Sequence, residues 1–366
     1  MAMRLSSVFP ETGVILAGDA GDLLFMRQVF APCIMGYVMK TQNDMKLIKR
    51  SKPRILSVLL CASALLFSAC TKKPEASPSS ISAIALETPA PAERYETIPT
   101  VPYQKEKSPV LYDGKYIYGE VYIPYNGREN HPAVILCHGM NSHFYHLSHI
   151  AMTLAERGIV TYTFDFCGGS TEPESSGTLL EMSVVTEADD LRAVIAHVKA
   201  MDYVNPDEVY LLGMSQGGYV ATEVAAEQQD AIAGMILLYP AYNINDIVRK
   251  MYPDTSSIPE TAAIFDTVVG KNYFLDALSV NIEADMKAYK GPVLILHGDQ
   301  DPIVPLSYSK QALTCFSDAR LIVIEGAQHG FFEDKEVIQD RECMYFLLDH
   351  CPKDSICSEA SPSPQS

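Results

Sequence analysis

The chain has 366 residues, 48% of them apolar, and a formal net charge of −17. This length suits one large domain or two small ones, and the apolar content is enough for a sizeable core. The negative charge argues against nucleic-acid binding, because phosphate backbones are held by clusters of Lys and Arg. The one dense basic segment, MKLIKRSKPR at 45–54, has a different explanation.

Residues 45–69 have the pattern of a secretory signal. The basic segment leads into ILSVLLCASALLFSAC at 55–70, an apolar run too short for a comfortable membrane span. Its end resembles the lipobox of bacterial lipoproteins, in which Cys70 becomes the lipidated N-terminus, although Phe67 stands where leucine is usual. We therefore predict an exported lipoprotein anchored to the cell membrane and facing outward. Ordinary secretion and a short anchor helix are the alternatives.

The remaining boundaries follow from this signal and from composition. Because signals stand at the N-terminus, we interpret residues 1–44 as an upstream extension from a mis-assigned start codon, with a genuine cytoplasmic extension as the alternative. Residues 70–105 are rich in Pro, Ser, Ala and Glu, which predicts a disordered linker. Residues 352–366 are predicted to be a disordered tail. The folded domain is thereby predicted to span 106–351.

Apolar patterning between these boundaries alternates strands with helices. An Asp-Gly pair at 113–114 predicts a hairpin. The predicted strands are 132–139, 159–166, 208–215, 233–240, 292–298 and 319–326. The predicted helices are 147–158, 182–201, 216–229, 306–316 and 335–351. Strict alternation of this kind predicts an α/β fold with a mostly parallel sheet and helices on both faces.

Residues 241–290 interrupt this alternation. About 50 residues are too many for a simple connection between two strands. We predict a small cap over the carboxyl ends of the strands, where open α/β sheets place their ligands. A single crossover helix with loops is the alternative.

The segment Gly213-Met214-Ser215-Gln216-Gly217 has the spacing G-x-S-x-G. It follows a predicted strand and opens a predicted helix, the placement that exposes a nucleophilic serine above a sheet. The free N–H groups at the start of such a helix suit an oxyanion, so the amide of Gln216 is a candidate donor. The second donor is expected in the loop after the early strand, at the amide of Met140.

A serine hydroxyl needs a base, and the base needs an orienting carboxylate. His329 follows the last predicted strand in a short loop and is the candidate base. Asp301 is the candidate acid; Asp299 competes with it and is otherwise a turn residue. Asp246, after the preceding strand, is a remote third candidate.

No metal or organic cofactor is required by this chemistry. The histidines near the predicted oxyanion loop have other expected roles. His138 is predicted to brace the loop rather than to take part in the chemistry. The segment HFYHLSH contains three histidines spaced by three, as metal ligands on a helix face can be. No acidic residue lies nearby in sequence, so we predict no metal site at His143, His146 and His149.

The region from about 108 to 350 resembles the α/β-hydrolase superfamily and, within it, bacterial cinnamoyl and feruloyl esterases. The matching segments are HGM (138–140), DFCGGS (165–170), EMSVVTEADDL (181–191), GMSQGG (213–218), HGDQDPIVP (297–305) and EGAQHGF (325–331). This resemblance implies an α/β-hydrolase fold with a small cap. It also implies that Ser215, Asp301 and His329 form a catalytic triad, with Met140 and Gln216 as oxyanion donors.

Two departures from these esterases are visible. Met140 stands where they often have phenylalanine, and the cap is the least matched part. In the family, the cap contacts the aromatic ring of the acyl group. Asp266 and Tyr273 are therefore candidates for holding a phenolic hydroxyl, with a surface aspartate and a packing tyrosine as the plainer interpretations.

Together these features predict an exported serine esterase acting on small or polysaccharide-linked carboxylic esters, with hydroxycinnamoyl esters as one candidate class. An aminopeptidase of the S33 type with the same fold is the first alternative. A catalytically inactive hydrolase acting as a binding module is the second, and it is disfavoured because every triad position is filled. The membrane is expected to be contacted through the lipid anchor only.

Overall fold

The computed structural model describes Glu87, Pro89, residues 93–352 and Ile356. The predicted upstream extension, the signal segment with Cys70 and most of the predicted linker lie outside the described residues. Among the helices that are described, none is long and apolar enough to cross a membrane.

Outside the insertion at 241–290, the described residues form strands and helices in alternation from 131 onward. The strands are β1 Tyr103–Lys107, β2 Val110–Tyr112, β3 Lys115–Ile117, β4 Gly119–Pro124, β5 His131–Cys137, β6 Val160–Phe164, β7 Val204–Met214, β8 Gly234–Leu238, β9 Thr261–Ile264, β10 Thr267–Gly270, β11 Val293–Gly298 and β12 Ala319–Ile324. The helices are α1 Glu93–Glu96, α2 Ser148–Ala155, α3 Val184–Lys199, α4 Gln216–Glu227, α5 Ile244–Met251, α6 Lys271–Ser279, α7 Ile282–Ala288, α8 Leu306–Cys315 and α9 Asp334–His350.

Eight strands form one sheet in the order β1-β4-β6-β5-β7-β8-β11-β12. The pairs β1/β4 and β4/β6 are antiparallel, and the five pairs from β6 to β12 are parallel. The predicted hairpin at 113–114 is present as β2 and β3. The expectation of a mostly parallel sheet is confirmed. Because β5, β7, β11 and β12 run parallel, their carboxyl ends lie on the same side of the sheet.

Helices cover both faces of this sheet, as β5 illustrates. Ala133, Ile135 and Cys137 lie in one apolar cluster, which includes residues of α3, α4, α7 and α8. Val134 and Leu136 lie in a second cluster, which includes residues of α2 and α9. Because alternate side chains of a strand point to opposite faces, a continuous apolar run is what a strand buried on both faces requires.

The insertion, residues 241–290, lies between β8 and β11. It contains α5, the hairpin of β9 and β10, α6 and α7. A single crossover helix is therefore wrong as a description of this segment, and a small cap over the carboxyl ends of the strands stays a prediction.

Two predicted boundaries are wrong. The structured region begins before residue 106, because Tyr103 opens β1, which pairs with β4 along its full length. Glu87 also forms a parallel bridge with Ile322 at the opposite edge of the sheet. In the predicted tail, the side chain of Ile356 is buried in the cluster that contains Leu347. Pairing with a sheet edge and burial of one apolar side chain offset the ordering entropy at these points.

Candidate active site

Ser215 stands at a sharp turn between β7 and α4. Its backbone dihedral angles are φ 54° and ψ −117°, a conformation that is costly for a residue with a side chain. Its N–H donates to the carbonyl of Leu238 on β8 at 2.9 Å, which fixes the turn against the next strand. The hydroxyl is thereby held at the carboxyl end of the central strand.

Two glycines of the G-x-S-x-G segment are explained by close backbone contacts. A Cβ atom on Gly217 would lie 2.3 Å from the carbonyl oxygen of Cys137 and 2.4 Å from that of His138. A Cβ atom on Gly213 would lie 2.5 Å from the Cα of Gly218. Any side chain at these positions would push the turn away from β5 and α4.

The structure brings Ser215, His329 and Asp301 together. His329 Nε2 lies 2.9 Å from Ser215 Oγ, and His329 Nδ1 lies 2.7 Å from Asp301 Oδ2. Asp299, the competing acid, instead accepts a hydrogen bond from the N–H of Gly326 in an exposed turn. Asp246 lies on α5 and bonds the hydroxyl of Tyr308. The geometry therefore favours Asp301 among the three carboxylates.

The Asp301 carboxylate is buried and fully hydrogen-bonded. Its Oδ1 accepts the N–H groups of Ile303 and Val304 at 2.8 and 2.9 Å. Burial by itself would raise the pKa of Asp301, but hydrogen bonds from His297 and His329 outweigh it and hold the pKa well below its usual range. An ionised Asp301 can orient His329 and stabilise the imidazolium that forms during catalysis.

His297 completes this set of contacts, and the sequence interpretation missed it. Its Nε2 lies 3.2 Å from Asp301 Oδ2 and 2.9 Å from the carbonyl of Val304, so Nε2 carries a proton. Its Nδ1 lies 2.7 Å from Ser309 Oγ, which donates to it when the ring is neutral. The sequence signal for a role of His297 was its position in the segment HGDQDPIVP, which also contains Asp301.

The peptide that joins Gly139 to Met140, the candidate oxyanion donor, is fixed by a hydrogen bond to His138. The Gly139 carbonyl accepts a hydrogen bond from His138 Nδ1 at 2.7 Å. In a trans peptide the next N–H points away from that carbonyl, so the amide of Met140 is directed by the same contact. A Cβ on Gly139 would lie only 3.1 Å from Ser215 Cβ, so this loop lies directly against the serine.

His138 has one tautomer available to it. The N–H of Phe166 donates to Nε2 at 3.0 Å, so the proton resides on Nδ1, facing the Gly139 carbonyl. Burial lowers the pKa of His138 to about 4, which keeps the ring neutral at physiological pH. The imidazole joins the Gly139 carbonyl to the N–H of Phe166, and this arrangement agrees with the predicted bracing role.

The amide of Gln216 is directed in the same way as that of Met140. The Ser215 carbonyl, on the same peptide unit, accepts N–H groups from Gly218, Tyr219 and Ala241 at 3.0, 3.3 and 2.9 Å. Within the described part of the chain, neither the Gln216 amide nor the Met140 amide has a hydrogen-bond acceptor. Two unpaired N–H donors beside a serine hydroxyl are what an oxyanion hole requires.

Comparison with known proteins agrees with this architecture. Residues 128–279 match the family model for serine aminopeptidase, S33. The esterase Est1E from Butyrivibrio proteoclasticus, solved with ferulic acid bound, is 27% identical with a TM-score of 0.61, and the match covers 66% of this chain and 99% of that one. The chain has the α/β-hydrolase fold.

Curated proteins that are similar to this chain include monoacylglycerol lipases. Monoacylglycerol lipase of Mycolicibacterium smegmatis is 24% identical over 236 residues, which are 56% of this chain and 82% of that enzyme. Human monoglyceride lipase is 28% identical over 185 residues, 50% of this chain, and the match spans only about half of that enzyme, 54%. The protein is accordingly an enzyme of the hydrolase class, with resemblance to esterases and lipases.

The two cap residues predicted to bind substrate occupy different environments in this α/β-hydrolase. Asp266 has a positive φ of 59° and lies exposed at the turn between β9 and β10. Tyr273 on α6 is fully buried, and its hydroxyl donates to Gln216 Oε1 at 2.8 Å. Tyr273 therefore contacts Gln216, the residue that follows the nucleophile, and its hydroxyl already has a hydrogen-bond partner within the protein.

Two of the three histidines of HFYHLSH lie next to each other, since the ring centroids of His143 and His146 are 5.9 Å apart. His146 Nδ1 lies 2.8 Å from Ser142 Oγ, and the ring of His143 stacks on Tyr145. His149 lies on α2 and pairs with Asp340 of α9 at 2.9 Å. The spacing that suggested a shared helix face is divided between a 3₁₀ turn at Phe144–Leu147 and the start of α2.

Proposed function

We propose that this α/β-hydrolase is a serine esterase that cleaves carboxylic esters through an acyl-enzyme. The observation that carries the proposal is the hydrogen-bonded chain from Ser215 Oγ through His329 to Asp301, at 2.9 and 2.7 Å. The unpaired amides of Met140 and Gln216 beside the same hydroxyl supply the electrostatic stabilisation that acyl transfer needs.

The reaction follows from these positions. Ser215 Oγ attacks the ester carbonyl carbon while His329 Nε2 takes the hydroxyl proton, and the carbonyl oxygen becomes an oxyanion beside the two amides. His329 then gives the proton to the leaving alcohol, and the acyl group stays on Ser215. Water, deprotonated by His329, attacks the acyl carbonyl. The acid leaves and Ser215 regains its proton.

Hydroxycinnamoyl esters, small or polysaccharide-linked, are the substrate class we propose within the carboxylic esters. Est1E, solved with ferulic acid, supports this class because its match extends over nearly all of that chain. A second candidate, an aminopeptidase of the S33 type, is favoured by the family model over residues 128–279.

A substrate panel separates these functions. Purified protein is assayed with short nitrophenyl esters, a monoacylglycerol, methyl ferulate and aminoacyl nitroanilides. We expect turnover of esters and labelling of Ser215 by a fluorophosphonate, located by mass spectrometry. Ser215→Ala abolishes both, whereas Ser279→Ala, whose hydroxyl bonds a carbonyl on α6, leaves both intact. Cleavage of anilides alone refutes the esterase proposal, and absence of both turnover and labelling supports an inactive binding module.

We also propose that the enzyme is exported and anchored by lipid at Cys70, with secretion as the alternative. The support is the basic and apolar pattern of 45–69 and the lipobox-like end. Fractionation of cells that express the native gene is expected to place the protein in the membrane fraction, and Cys70→Ala is expected to release it. Detection of any peptide from 1–44 by mass spectrometry would show that these residues are translated. That result refutes the interpretation that the start codon is mis-assigned.

A further inference from the structure

The side chain of Gln216, the proposed oxyanion donor, is hydrogen-bonded to a buried carboxyl group that the mechanism above does not use. Glu187, in the first turn of α3, is only 1% exposed. Its Oε2 accepts a hydrogen bond from Gln216 Nε2 at 2.8 Å. Its Oε1 is buried and has no hydrogen-bond partner among the described residues. Glu187 belongs to EMSVVTEADDL, one of the segments that carry the family resemblance.

The surroundings of Glu187 keep it neutral. Gln216 faces it from α4, Tyr273 from α6 and the Cys137 thiol from β5, and none of these groups carries a positive charge. On its own helix, Asp190 adds a negative charge and is paired with Lys115. Burial raises the pKa of Glu187 to about 8, with Gln216 opposing and Asp190 reinforcing the rise. The group is therefore a carboxylic acid at neutral pH.

Gln216 is held at both ends of its side-chain amide. While Nε2 donates to Glu187, Oε1 accepts the hydroxyl of Tyr273. Tyr273 belongs to the insertion, so this chain of hydrogen bonds joins α6, the first turn of α4 and α3. Gln216 is also the residue whose backbone N–H is proposed to bind the oxyanion.

Resting on the proposed function, we propose that Glu187, as the neutral acid, and Tyr273 are positioning residues that fix Gln216 and keep the oxyanion hole free of opposing charge. Loss of either hydrogen bond releases one end of the side chain that anchors the donor residue. Ionisation of Glu187 places a negative charge behind the donor that must stabilise a negative oxygen. Both effects act on the transition state more than on the bound substrate, because the oxyanion forms only during reaction.

The first test separates kcat from KM on the best ester substrate. Tyr273→Phe and Glu187→Met, which remove one hydrogen bond each, are expected to lower kcat about tenfold and leave KM nearly unchanged. That loss is a fraction of the roughly 10²-fold or larger effect of deleting an oxyanion donor. Glu187→Gln, which keeps a hydrogen-bond acceptor, is expected to retain more of kcat than Glu187→Met.

Tyr242→Phe is the matched control. Tyr242 is also a buried tyrosine of the insertion, and its hydroxyl bonds α4 as well, but at Thr222, away from the nucleophile turn. Its loss is expected to lower thermal stability to a similar degree without the drop in kcat. Equal kcat values for Tyr273→Phe and Tyr242→Phe refute the proposal. If Glu187→Met does not fold, Tyr273→Phe and Glu187→Gln decide the question.

The second test is the pH dependence of kcat. The wild-type rate is expected to fall by about tenfold as pH rises from 7.5 to 9.5, because Glu187 ionises beside the oxyanion hole. Glu187→Gln is expected to remove this decline. A decline that persists unchanged in Glu187→Gln refutes the electrostatic role. Absence of any ester turnover by the wild-type protein refutes the proposed function, whereas normal turnover that is insensitive to these variants refutes only the positioning roles.

Discussion

The two hydrogen bonds of the His138 imidazole can be removed one at a time. The side-chain amide of asparagine extends about as far as Nδ1 of histidine, and that of glutamine about as far as Nε2. His138→Asn therefore keeps a donor for the Gly139 carbonyl and loses the acceptor for the N–H of Phe166. His138→Gln does the reverse. One substitution preserves the contact that directs the Met140 amide, and the other removes it.

The expected magnitudes follow from burial of the groups left without partners. Both Gly139 and Phe166 are buried, so each variant leaves one backbone group unpaired and loses about 1–3 kcal/mol of unfolding free energy. Only His138→Gln frees the Met140 peptide to rotate. Its loss in kcat is bounded by about 10²–10³-fold, or about 2.7–4 kcal/mol, the cost of deleting one oxyanion donor. His138→Asn is expected to stay within about threefold of wild type, because its donor contact remains.

The assay combines steady-state kinetics on one ester with urea unfolding of the same protein samples. Unfolding free energies should fall by similar amounts in the two variants, whereas kcat should fall substantially in His138→Gln alone. Equal kcat losses in the two variants would show that His138 acts through general packing. Unchanged kcat in His138→Gln would show that the Gly139 contact does not direct the Met140 amide.

Three further predictions follow from the same geometry. Asp301→Asn should lower kcat by about 10⁴-fold with little change in KM, since an amide cannot hold His329 in the required tautomer; ester kinetics test this, and a loss below tenfold contradicts it. Gly217→Ala should abolish activity and lower the melting temperature, because its Cβ would lie 2.3 Å from the Cys137 carbonyl oxygen; calorimetry that finds wild-type stability contradicts this. Glu187 should make stability depend on pH: its pKa is raised from 4.5 to about 8, so its contribution is complete below pH 4.5 and is lost as pH rises toward 8. In urea titrations, Glu187→Gln should reduce the slope of unfolding free energy against pH by about 1 kcal/mol per pH unit.

The relation of Ser215, Asp301 and His329 could be predicted because topology constrains it. Each residue follows an apolar run that forms a parallel strand, and parallel strands in one sheet end at the same edge. Three residues that are 28 and 114 positions apart in sequence thus meet by fold class alone. The sequence also favoured Asp301 over Asp299, because only Asp301 lies far enough along the loop to reach His329.

Other features left no local signal. Strand β1, Tyr103–Lys107, lacks apolar alternation because it lies at the edge of the sheet and its side chains are mostly exposed. The contact between Tyr273 and Gln216 joins residues 57 positions apart and depends on how the insertion packs. Periodicity reports which face of an element is buried, and it carries no information on which buried polar groups pair across elements.

The attachment of α6 has a consequence for how selectivity could be altered. Asn272 donates to the carbonyls of Glu181 and Met182, and Asp276 accepts the hydroxyl of Ser183. These contacts fasten the insertion to the hydrolase scaffold through residues 271–279. The stretch 252–270 could therefore be exchanged with that of another hydrolase as a cassette, provided that 271–279 and the core residues Ile258, Ile264 and Val269 are retained. Evolution and protein engineering would then have a segment in which to vary substrate preference while the reacting groups keep their geometry.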